Sequence, residues 1–376
     1  MNDFRQVTII GLGLMGGSLA MALGERGNCV ITGFDLSADN LEEAQRRKLI
    51  HKKAASLAEA VGQADLVVLA TPVGSYQEIF NTVSRVIKPG TVVTDVGSVK
   101  CPVMEAAKAL PEGVPFIGGH PLAGSEKGGL KAATATLFEN AYYFLTPEDE
   151  SQEIIVNRLK TWVSTLGAFP VIVQAREHDR ILARTSHFPH VMASLLSNIV
   201  GEEADQTIAA FTGSGFRDTT RIAAGNPTLW EEILFLNRGE LSKCLLQTED
   251  KVREVRQALE KEQRQWIHQF LAKGKSFRDQ LPKAGKDYLP EWYQLYVDIK
   301  DQPGALAAIT TTVAEAGVNI REIEILHARE GDQGAVRLAF LSAEEEQAAM
   351  KALSGKGHSF ARSKGEKNHV DHKTRN

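Results

Sequence analysis

A glycine-rich stretch near the start of the chain has the spacing of a phosphate-binding turn. "GLGLMGG" places three glycines in the G-x-G-x-x-G pattern, after one strand-like segment and before a helical one. The first glycine permits a tight turn, the second lets the backbone approach a pyrophosphate, and the third lets helix and strand pack closely. Phosphates would bind N–H groups at the helix N-terminus. The predicted dinucleotide contacts are Gly11, Leu12, Gly13, Leu14, Met15 and Gly16.

An acidic residue ends the second strand-like segment. Asp35 in "ITGFDLS" stands at about the separation expected for a carboxylate that binds the adenosine ribose hydroxyls. A carboxylate there would repel a 2′-phosphate, and no arginine immediately follows it. The sequence therefore predicts NAD rather than NADP. The alternative is a glycine turn followed by a surface aspartate.

Two later strand-like segments end in residues that should border the same site. They are "LATPV", residues 69–73, and "DVGSVK", residues 95–100. In an open α/β sheet, ligands bind beyond the carboxyl ends of the strands. Thr71, Pro72 and Ser98 are therefore predicted to contact the cofactor, although Thr71 and Pro72 could equally form an ordinary strand-to-helix turn.

A single histidine, His120, opens the stretch "HPLAGSEKGG". Because an unperturbed imidazole titrates near pH ~6.5, a neutral histidine can accept a proton at working pH. The residues alone leave two interpretations open: a catalytic base, or a turn histidine in a glycine-rich loop.

Two pairs of histidines raise the question of a metal site. His187 and His190 lie three residues apart in "SHFPH", but no third ligand is near them, and Pro189 should interrupt a helix between them. His369 and His372 lie in a polar tail. No metal is predicted.

The hydrophobic patterning divides the chain into three domains. Residues 1–172 alternate β-branched runs with helical patterns, typical of right-handed βαβ units in a largely parallel sheet. Residues 173–285 are helical, and their apolar faces predict burial against each other and against a second copy, hence a homodimer. Residues 290–363 predict a βαββαβ sandwich, and residues 364–376 a disordered tail.

The composition is that of a soluble globular protein. The chain has 376 residues, 43% hydrophobic and 24% charged, with a net charge of -4 that argues against a nucleic-acid binder. Three scattered cysteines favour a reduced, cytoplasmic setting. Neither a secretory leader nor a membrane span is expected.

Five motifs together resemble the TyrA family of prephenate and arogenate dehydrogenases. They are "GLGLMGGS", "TDVGSVK", "GGHPLAGSE", "SHFPH" and "GSGFRDTTRIA", in the family's order over residues 4 to about 285. The last region resembles an ACT domain through "DQPGALAAI" and "AGVNI". The resemblance implies a Rossmann-type α/β nucleotide-binding domain, an all-α dimerisation domain and a ferredoxin-like ACT domain.

The resemblance also implies a reaction. Family members oxidise the cyclohexadienol prephenate with NAD to 4-hydroxyphenylpyruvate and CO2, in tyrosine biosynthesis. Arogenate, which carries an amino group in place of the keto group, is the alternative substrate, alone or together with prephenate. More distant alternatives are a β-hydroxyacid dehydrogenase, whose catalytic lysine motif has no comparable match here, and a non-catalytic NAD-binding ACT sensor.

Matching motif residues carry the family's roles onto this sequence. His120 matches the catalytic histidine, and Ser98 matches the serine that hydrogen-bonds to it near the nicotinamide. Arg221 matches the arginine that holds the ring carboxylate, which a planar guanidinium can grip with two hydrogen bonds. The other substrate-site residues by this resemblance are His190, Ser125, Glu126 and Trp230. Arg217, one helical turn before Arg221 if the segment is helical, could add positive charge to the pocket.

Some of these roles have simpler alternatives. Arg217 could be a solvated surface charge, Glu126 could form a plain surface salt bridge with it, and Trp230 could be a core aromatic. His187 could support packing.

The ACT resemblance implies an effector site near the first strand-to-helix loop of that domain. By the logic of the family, the effector would be tyrosine, the pathway end product. The alternative is a purely structural dimerisation module. The expected contacts are Asp301, Gly304, Ala305, Leu306, Asn319 and Ile320.

Overall fold

The computed structural model describes residues 4–124, 128–203, 208, 211–281, 293–300, 302–326, 333–340 and 342–362. The chain divides into two compact units after His268. Within the described ranges, every helix is too short or too polar to cross a membrane.

An eight-stranded sheet forms the centre of the first unit. Its spatial order is β3-β2-β1-β4-β5-β6-β7-β8. The first six strands are parallel, whereas β7 runs antiparallel to β6 and parallel to β8. The strands are β1 (Gln6–Ile10), β2 (Val30–Phe34), β3 (Lys52–Lys53), β4 (Leu66–Leu69), β5 (Val92–Asp95), β6 (Phe116–Pro121), β7 (Tyr142–Thr146) and β8 (Phe169–Ile172).

Helices cover both faces of this sheet, which explains the nearly continuous apolar strands. Adjacent residues of β1 belong to different cores: Ile9 packs with α1 and α6, and Ile10 packs with α4 and α5. The largely parallel, Rossmann-type arrangement is confirmed. The helices are α1 (Leu14–Arg26), α2 (Ala38–Arg46), α3 (Leu57–Val61), α4 (Tyr76–Val83), α5 (Cys101–Ala107) and α6 (Glu153–Thr165).

The helical region that follows contains an unusual turn. Ala183–His187 is a π-helical turn, closed by a hydrogen bond from the Phe188 N–H to the Ala183 carbonyl. Pro189, which has no N–H to donate, is accommodated here without ending the helical path, so the expected interruption is wrong. The region comprises α7 (Ala175–Leu182), α8 (Phe188–Glu203), α9 (Ser214–Thr220), a 3-10 turn (Arg221–Ala224), α10 (Pro227–Leu236) and α11 (Arg238–Glu260), followed by α12 (Arg264–Gln280).

The second unit contains a four-stranded antiparallel sheet in the order β10-β11-β9-β12. Its two helices pack on one core with the sheet, through side chains such as Val297, Ile309 and Leu353. The predicted βαββαβ fold is confirmed. Its elements are β9 (Tyr293–Lys300), α13 (Ala305–Glu315), β10 (Glu322–Leu326), β11 (Gln333–Phe340), α14 (Ala343–Gly355) and β12 (Phe360–Arg362).

Candidate active site

The turn between β1 and α1 has the shape of a phosphate cradle. Gly11 adopts a φ of 93°, a conformation that favours glycine. A Cβ atom on Gly16 would lie only 1.8 Å from the Gly11 carbonyl oxygen, so the helix can approach the turn only with glycine there. Gly13 begins α1 without a side-chain cap, which leaves the first N–H groups of the helix to a ligand.

Asp35 is fixed beside this turn at the end of β2. One carboxylate oxygen accepts the Leu12 N–H at 2.6 Å, and the other accepts the Ser37 N–H at 2.8 Å. The half-buried carboxylate keeps acceptor capacity for further hydrogen bonds. Turn and carboxylate together fit the phosphates and the ribose of a dinucleotide.

A cavity of about 440 Å³ adjoins the start of α1. It lies at the carboxyl ends of β4, β5 and β6, where ligands bind in such sheets. The segment from Gly225 to Leu236, which contains α10, supplies the facing wall. The sequence-predicted residues that line it are Leu14, Met15, Thr71, Pro72, Ser98, His120 and Trp230.

His120 lies within β6 and not in a loop. The strand continues through Pro121, and His120 pairs with Phe144 of β7. The turn interpretation is therefore wrong. The side chain is only 7% exposed, and burial, followed by the nearby His178, Lys100 and His187, lowers the pKa of His120 well below its usual value. The ring is consequently neutral at physiological pH.

Two further residues continue from His120 into the protein. The Nδ1 atom of His120 lies 2.8 Å from Nε2 of His178, and Nδ1 of His178 lies 2.8 Å from Oδ1 of Asp179. Asp179 also accepts the Lys100 N–H at 2.7 Å and the Cys101 N–H at 2.8 Å. Burial raises the pKa of Asp179, but the hydrogen bonds from His178 and from these N–H groups outweigh it, and the net shift is downward.

A buried ion pair holds the backbone next to His120. Nζ of Lys100 lies 2.5 Å from Asp95 Oδ2 and 2.7 Å from the Gly119 carbonyl oxygen. Asp95 in turn accepts the Gly119 N–H at 2.8 Å. A Cβ atom on Gly119 would lie 2.3 Å from the Asp95 carbonyl oxygen, so only glycine permits this approach.

Ser98 differs from its expected role. It lines the cavity with His120, but among the described residues no hydrogen bond joins the two. The ring partner of His120 is His178.

His190 and Trp230 form a stacked pair. Their ring centroids lie 3.6 Å apart with an interplanar angle of 14°. His187 meets Trp230 edge-on, and the Asn237 side chain contacts Nδ1 of His187 at 3.1 Å. Nδ1 of His190 is buried with no hydrogen-bond partner among the described residues, which is costly unless a ligand or water supplies one.

The two arginines lie away from the walls of the cavity. Arg217 is in α9 and Arg221 begins the 3-10 turn, and both side chains are exposed. Neither they nor His190 belong to the lining of the cavity in the described part of the chain. Ser125 and Glu126 lie outside the described residues.

Sequence reasoning missed His178 and Asp179. The sequence shows them only as an adjacent His-Asp pair in the polar stretch "REHDR". Their burial, which sets them apart from the rest of that helix, is seen only in the structure. Lys100 stood in "DVGSVK" without an assigned role, and its side chain is fully buried.

The second unit has a cavity of its own, of about 320 Å³. It includes Gln302 and Ala305 of the predicted effector loop, and Gly357–Ser359, which the prediction did not include. Gly304 begins α13 with a φ of 86°. Leu306, Asn319 and Ile320 are not among its lining residues, and Asp301 lies outside the described residues.

Comparisons with known proteins agree with this geometry. Family models match the chain at residues 19–172, the nucleotide-binding domain of prephenate dehydrogenase; at 174–273, its dimerization domain; and at 293–355, an ACT domain. The prephenate dehydrogenase of Bacillus subtilis is 33% identical over 366 residues, which cover 95% of this chain and 98% of that protein.

Solved structures give the same result. Prephenate dehydrogenase from A. aeolicus, in complex with hydroxyphenyl propionate and NAD+, matches with a TM-score of 0.68 and 27% identity, over 74% of this chain and 98% of that one. Synechocystis arogenate dehydrogenase matches with a TM-score of 0.66 and 29% identity, over 74% and 100%. The chain therefore belongs to the prephenate dehydrogenase family of oxidoreductases, with an ACT domain after its catalytic region.

Proposed function

We propose that this protein catalyses the NAD-dependent oxidative decarboxylation of prephenate to 4-hydroxyphenylpyruvate and CO2. The observation that carries the proposal is one cavity bordered by the start of α1 and by the buried ring of His120. The hydride leaves C4 of the substrate and the proton leaves the hydroxyl group on C4. The hydride acceptor and the base must therefore lie close to the same C–OH group, and this cavity brings their sites together. The family membership and the Bacillus subtilis relative support the same reaction.

The cofactor is NAD, which fits the turn of Gly11–Gly16 and the carboxylate of Asp35. When bound, NAD would supply the acceptor for the hydride that leaves C4 of the substrate.

His120 supplies the proton chemistry. Its neutral ring accepts the C4 hydroxyl proton while the C4–O bond becomes a carbonyl. Loss of the ring carboxylate as CO2 returns an electron pair to the ring and produces a phenolate. That oxygen takes the proton back, because a phenol, with a pKa near ~10, holds it more tightly than a buried imidazole. No net proton is consumed.

Other side chains bind the substrate in this proposal. Trp230 and Ser98 line the cavity, and His190, which stacks on Trp230 outside that lining, is assigned a polar group of the substrate by the family resemblance. By the family resemblance, Arg221 is assigned the ring carboxylate and Arg217 an added positive charge, and both lie outside the lining of the cavity in the described residues. Ser125 and Glu126, which lie outside the described residues, are substrate-site residues by the family resemblance only.

A direct assay tests the function. The purified full-length chain is given NAD+ and prephenate, and NADH is followed at about 340 nm with identification of the aromatic product. We expect turnover that depends on both compounds and that falls by orders of magnitude in His120→Asn with little change in substrate Kd. Absence of turnover would refute the proposal. For the carboxylate clamp, Arg221→Gln should mainly raise the Kd for prephenate.

Arogenate is the second candidate substrate, because the similar Synechocystis structure is that of an arogenate dehydrogenase. Parallel assays with the two compounds decide between them. A higher kcat/KM with arogenate would replace prephenate in the proposal.

We also propose that tyrosine inhibits the enzyme through the ACT domain. The cavity that includes Ala305 and Ala308 could take a small amino acid. Ala308→Trp should fill it and weaken tyrosine inhibition, whereas Ala307→Trp, at a similarly exposed position that does not line the cavity, serves as the matched control. Inhibition that persists in Ala308→Trp would place tyrosine elsewhere.

We also propose that the protein is a homodimer located in the cytoplasm. The match of residues 174–273 to a dimerization domain supports the dimer. Sedimentation of the purified chain measures its mass, and a monomer at assay concentration would exclude it. The three cysteines are unpaired, which supports a reducing compartment, and cell fractionation tests this.

A further inference from the structure

The chain His120–His178–Asp179 contains a directional set of hydrogen bonds. Both carboxylate oxygens of Asp179 accept backbone N–H groups, from Lys100 and from Cys101. Such donors stabilise the ionised carboxylate, which can only accept hydrogen bonds. The contact of 2.8 Å between Asp179 Oδ1 and His178 Nδ1 is therefore donated by His178.

The direction of the next hydrogen bond follows. His178 is fully buried, and burial is the main reason that its pKa is lowered, so its ring is neutral. A neutral imidazole carries one proton, and that proton is on Nδ1. Its Nε2 is then an acceptor, and the contact of 2.8 Å with His120 is donated by Nδ1 of His120.

We propose that His178 and Asp179 are positioning residues that hold His120 in the tautomer with a bare Nε2, the atom that accepts the substrate proton. This inference rests on the proposed function for the identity of the substrate. In the transfer, an N–H bond forms at Nε2 of His120, the hydroxyl O–H bond breaks, and its electron pair stays on oxygen.

The charges around His120 make such an arrangement necessary. Lys100 at the start of α5, and His178 and His187 from the helical region, each disfavour a positive charge on the ring. Asp95 on β5 already neutralises Lys100, and Phe144 on β7 is apolar. Asp179 is therefore an anion placed to stabilise the imidazolium of His120, through His178. A carboxylate that orients an imidazole has the same role in hydrolase triads.

A purely structural role is the competing explanation. Asp179 accepts N–H groups at the start of α5, and its own carbonyl oxygen accepts the Asn237 side chain at 2.8 Å, so it also anchors α7. A structural role requires neither a defined tautomer of His120 nor a selective loss of kcat.

The first experiment is independent of activity. 15N-histidine NMR of the unliganded full-length enzyme, with His120 assigned through His120→Asn, reports which ring nitrogen carries the proton. We expect Nδ1–H in the wild type and a mixture of tautomers in Asp179→Asn. A proton on Nε2 in the wild type would overturn the proposal. Because no substrate is present, this result stands even if prephenate is not turned over.

The second experiment uses kinetics. Asp179→Asn should lower kcat by about 100-fold to 10,000-fold, as loss of an orienting carboxylate does elsewhere, with the KM for prephenate nearly unchanged. The acid limb of the kcat/KM profile should move to lower pH, because the imidazolium loses its anion. Val156→Ala, a buried position of α6 away from these residues, controls for loss of stability.

A second pair of variants serves if Asp179→Asn does not fold. His178→Gln keeps an acceptor near the position of Nε2, whereas His178→Phe removes it. The kcat of the glutamine variant should exceed that of the phenylalanine variant by about tenfold or more. Equal kcat in the two variants, or wild-type kcat in Asp179→Asn, would show a structural role only.

Discussion

Nζ of Lys100 lies 2.7 Å from the carbonyl oxygen of Gly119, the residue immediately before His120. The same ammonium group contacts Asp95, which binds the Gly119 N–H. Both backbone polar groups of Gly119 are thus fixed by one buried ion pair. The position of His120 on β6 therefore depends on two charged side chains, Lys100 and Asp95, that do not line the cavity.

Lys100→Met should destabilise the protein strongly. Removing one member leaves the Asp95 carboxylate buried and unpaired, which costs about 3–5 kcal/mol in comparable cases. Urea unfolding measures the change. Lys108→Met is the matched control, because this exposed lysine at the end of α5 forms its ion pair within the described residues with exposed Glu105, and it should cost less than about 1 kcal/mol. Similar losses in the two variants would contradict the assigned role of the pair.

Gly225→Ala should weaken substrate binding by moving Trp230. An added Cβ atom would lie 2.5 Å from Trp230 Nε1 and 3.1 Å from His190 Cε1, although alanine suits the backbone, with φ −62° and ψ 159°. We expect an increase in KM for prephenate of roughly tenfold, equivalent to about 1.4 kcal/mol. Gly213→Ala, where nothing lies within 4 Å, should leave KM unchanged. An unchanged KM in Gly225→Ala would remove Trp230 from the substrate site.

Stability should fall as the pH drops below about 6.5. Burial is the leading cause of the lowered pKa values of His120, His178 and His187, and the pKa of His187 falls to about 4. Below the unfolded pKa, the unfolded chain binds protons that the folded protein excludes, so each histidine costs up to about 1.4 kcal/mol per pH unit. Above that pH the three rings are neutral in both the folded and the unfolded state, and this cost to stability is absent.

Urea unfolding between about pH 7 and pH 5 checks this dependence. His187→Gln keeps an acceptor for Asn237 and should reduce the slope of the unfolding free energy against pH by the equivalent of about one proton. His268→Gln, on the exposed side of α12, should not. An unchanged slope in His187→Gln would mean that this ring does not titrate on unfolding.

Asp35→Ala should lower kcat/KM for NAD+ by about 10-fold to 100-fold. Hydrogen bonds to a charged group contribute about 1.5–3 kcal/mol each, and the ribose hydroxyls would lose such an acceptor. The variant should discriminate less against NADP, whose 2′-phosphate no longer meets a carboxylate. Exposed Asp39→Asn on α2 is the control. An equal loss with NAD+ and NADP would indicate damage to the turn at Leu12 instead.

Local patterns predicted the fold well for physical reasons. Strands buried on two faces need long β-branched runs, and a phosphate turn needs glycines at fixed spacing, so both leave marks within a few residues of sequence. The ACT sheet followed from alternation in the same way.

The parts that failed depend on contacts distant in sequence. His120 and His178 are 58 residues apart, and nothing near either residue marks the contact. "GGHP" has the composition of a turn, yet Gly119 is required by the close approach of Asp95 and Gly118 by that of the Thr146 side chain, which only the folded sheet shows. Proline rules predicted a break at Pro189, and the π-helical turn absorbed it instead.

That turn also sets an angle. One residue of an α-helix corresponds to about 100° of rotation, and a π-helical turn holds one residue more than the α-helical turn it replaces. Asp179 precedes the turn and His190 follows it on the same continuous rod. If the same residues formed an ordinary α-helix, everything beyond the turn would be rotated by about 100°, whereas deleting one residue there would restore an α-helical turn and nearly preserve the orientation. The π-helical turn between Ala183 and His187 thus sets the rotation of α8 relative to α7, and with it the orientation of His190 relative to Asp179.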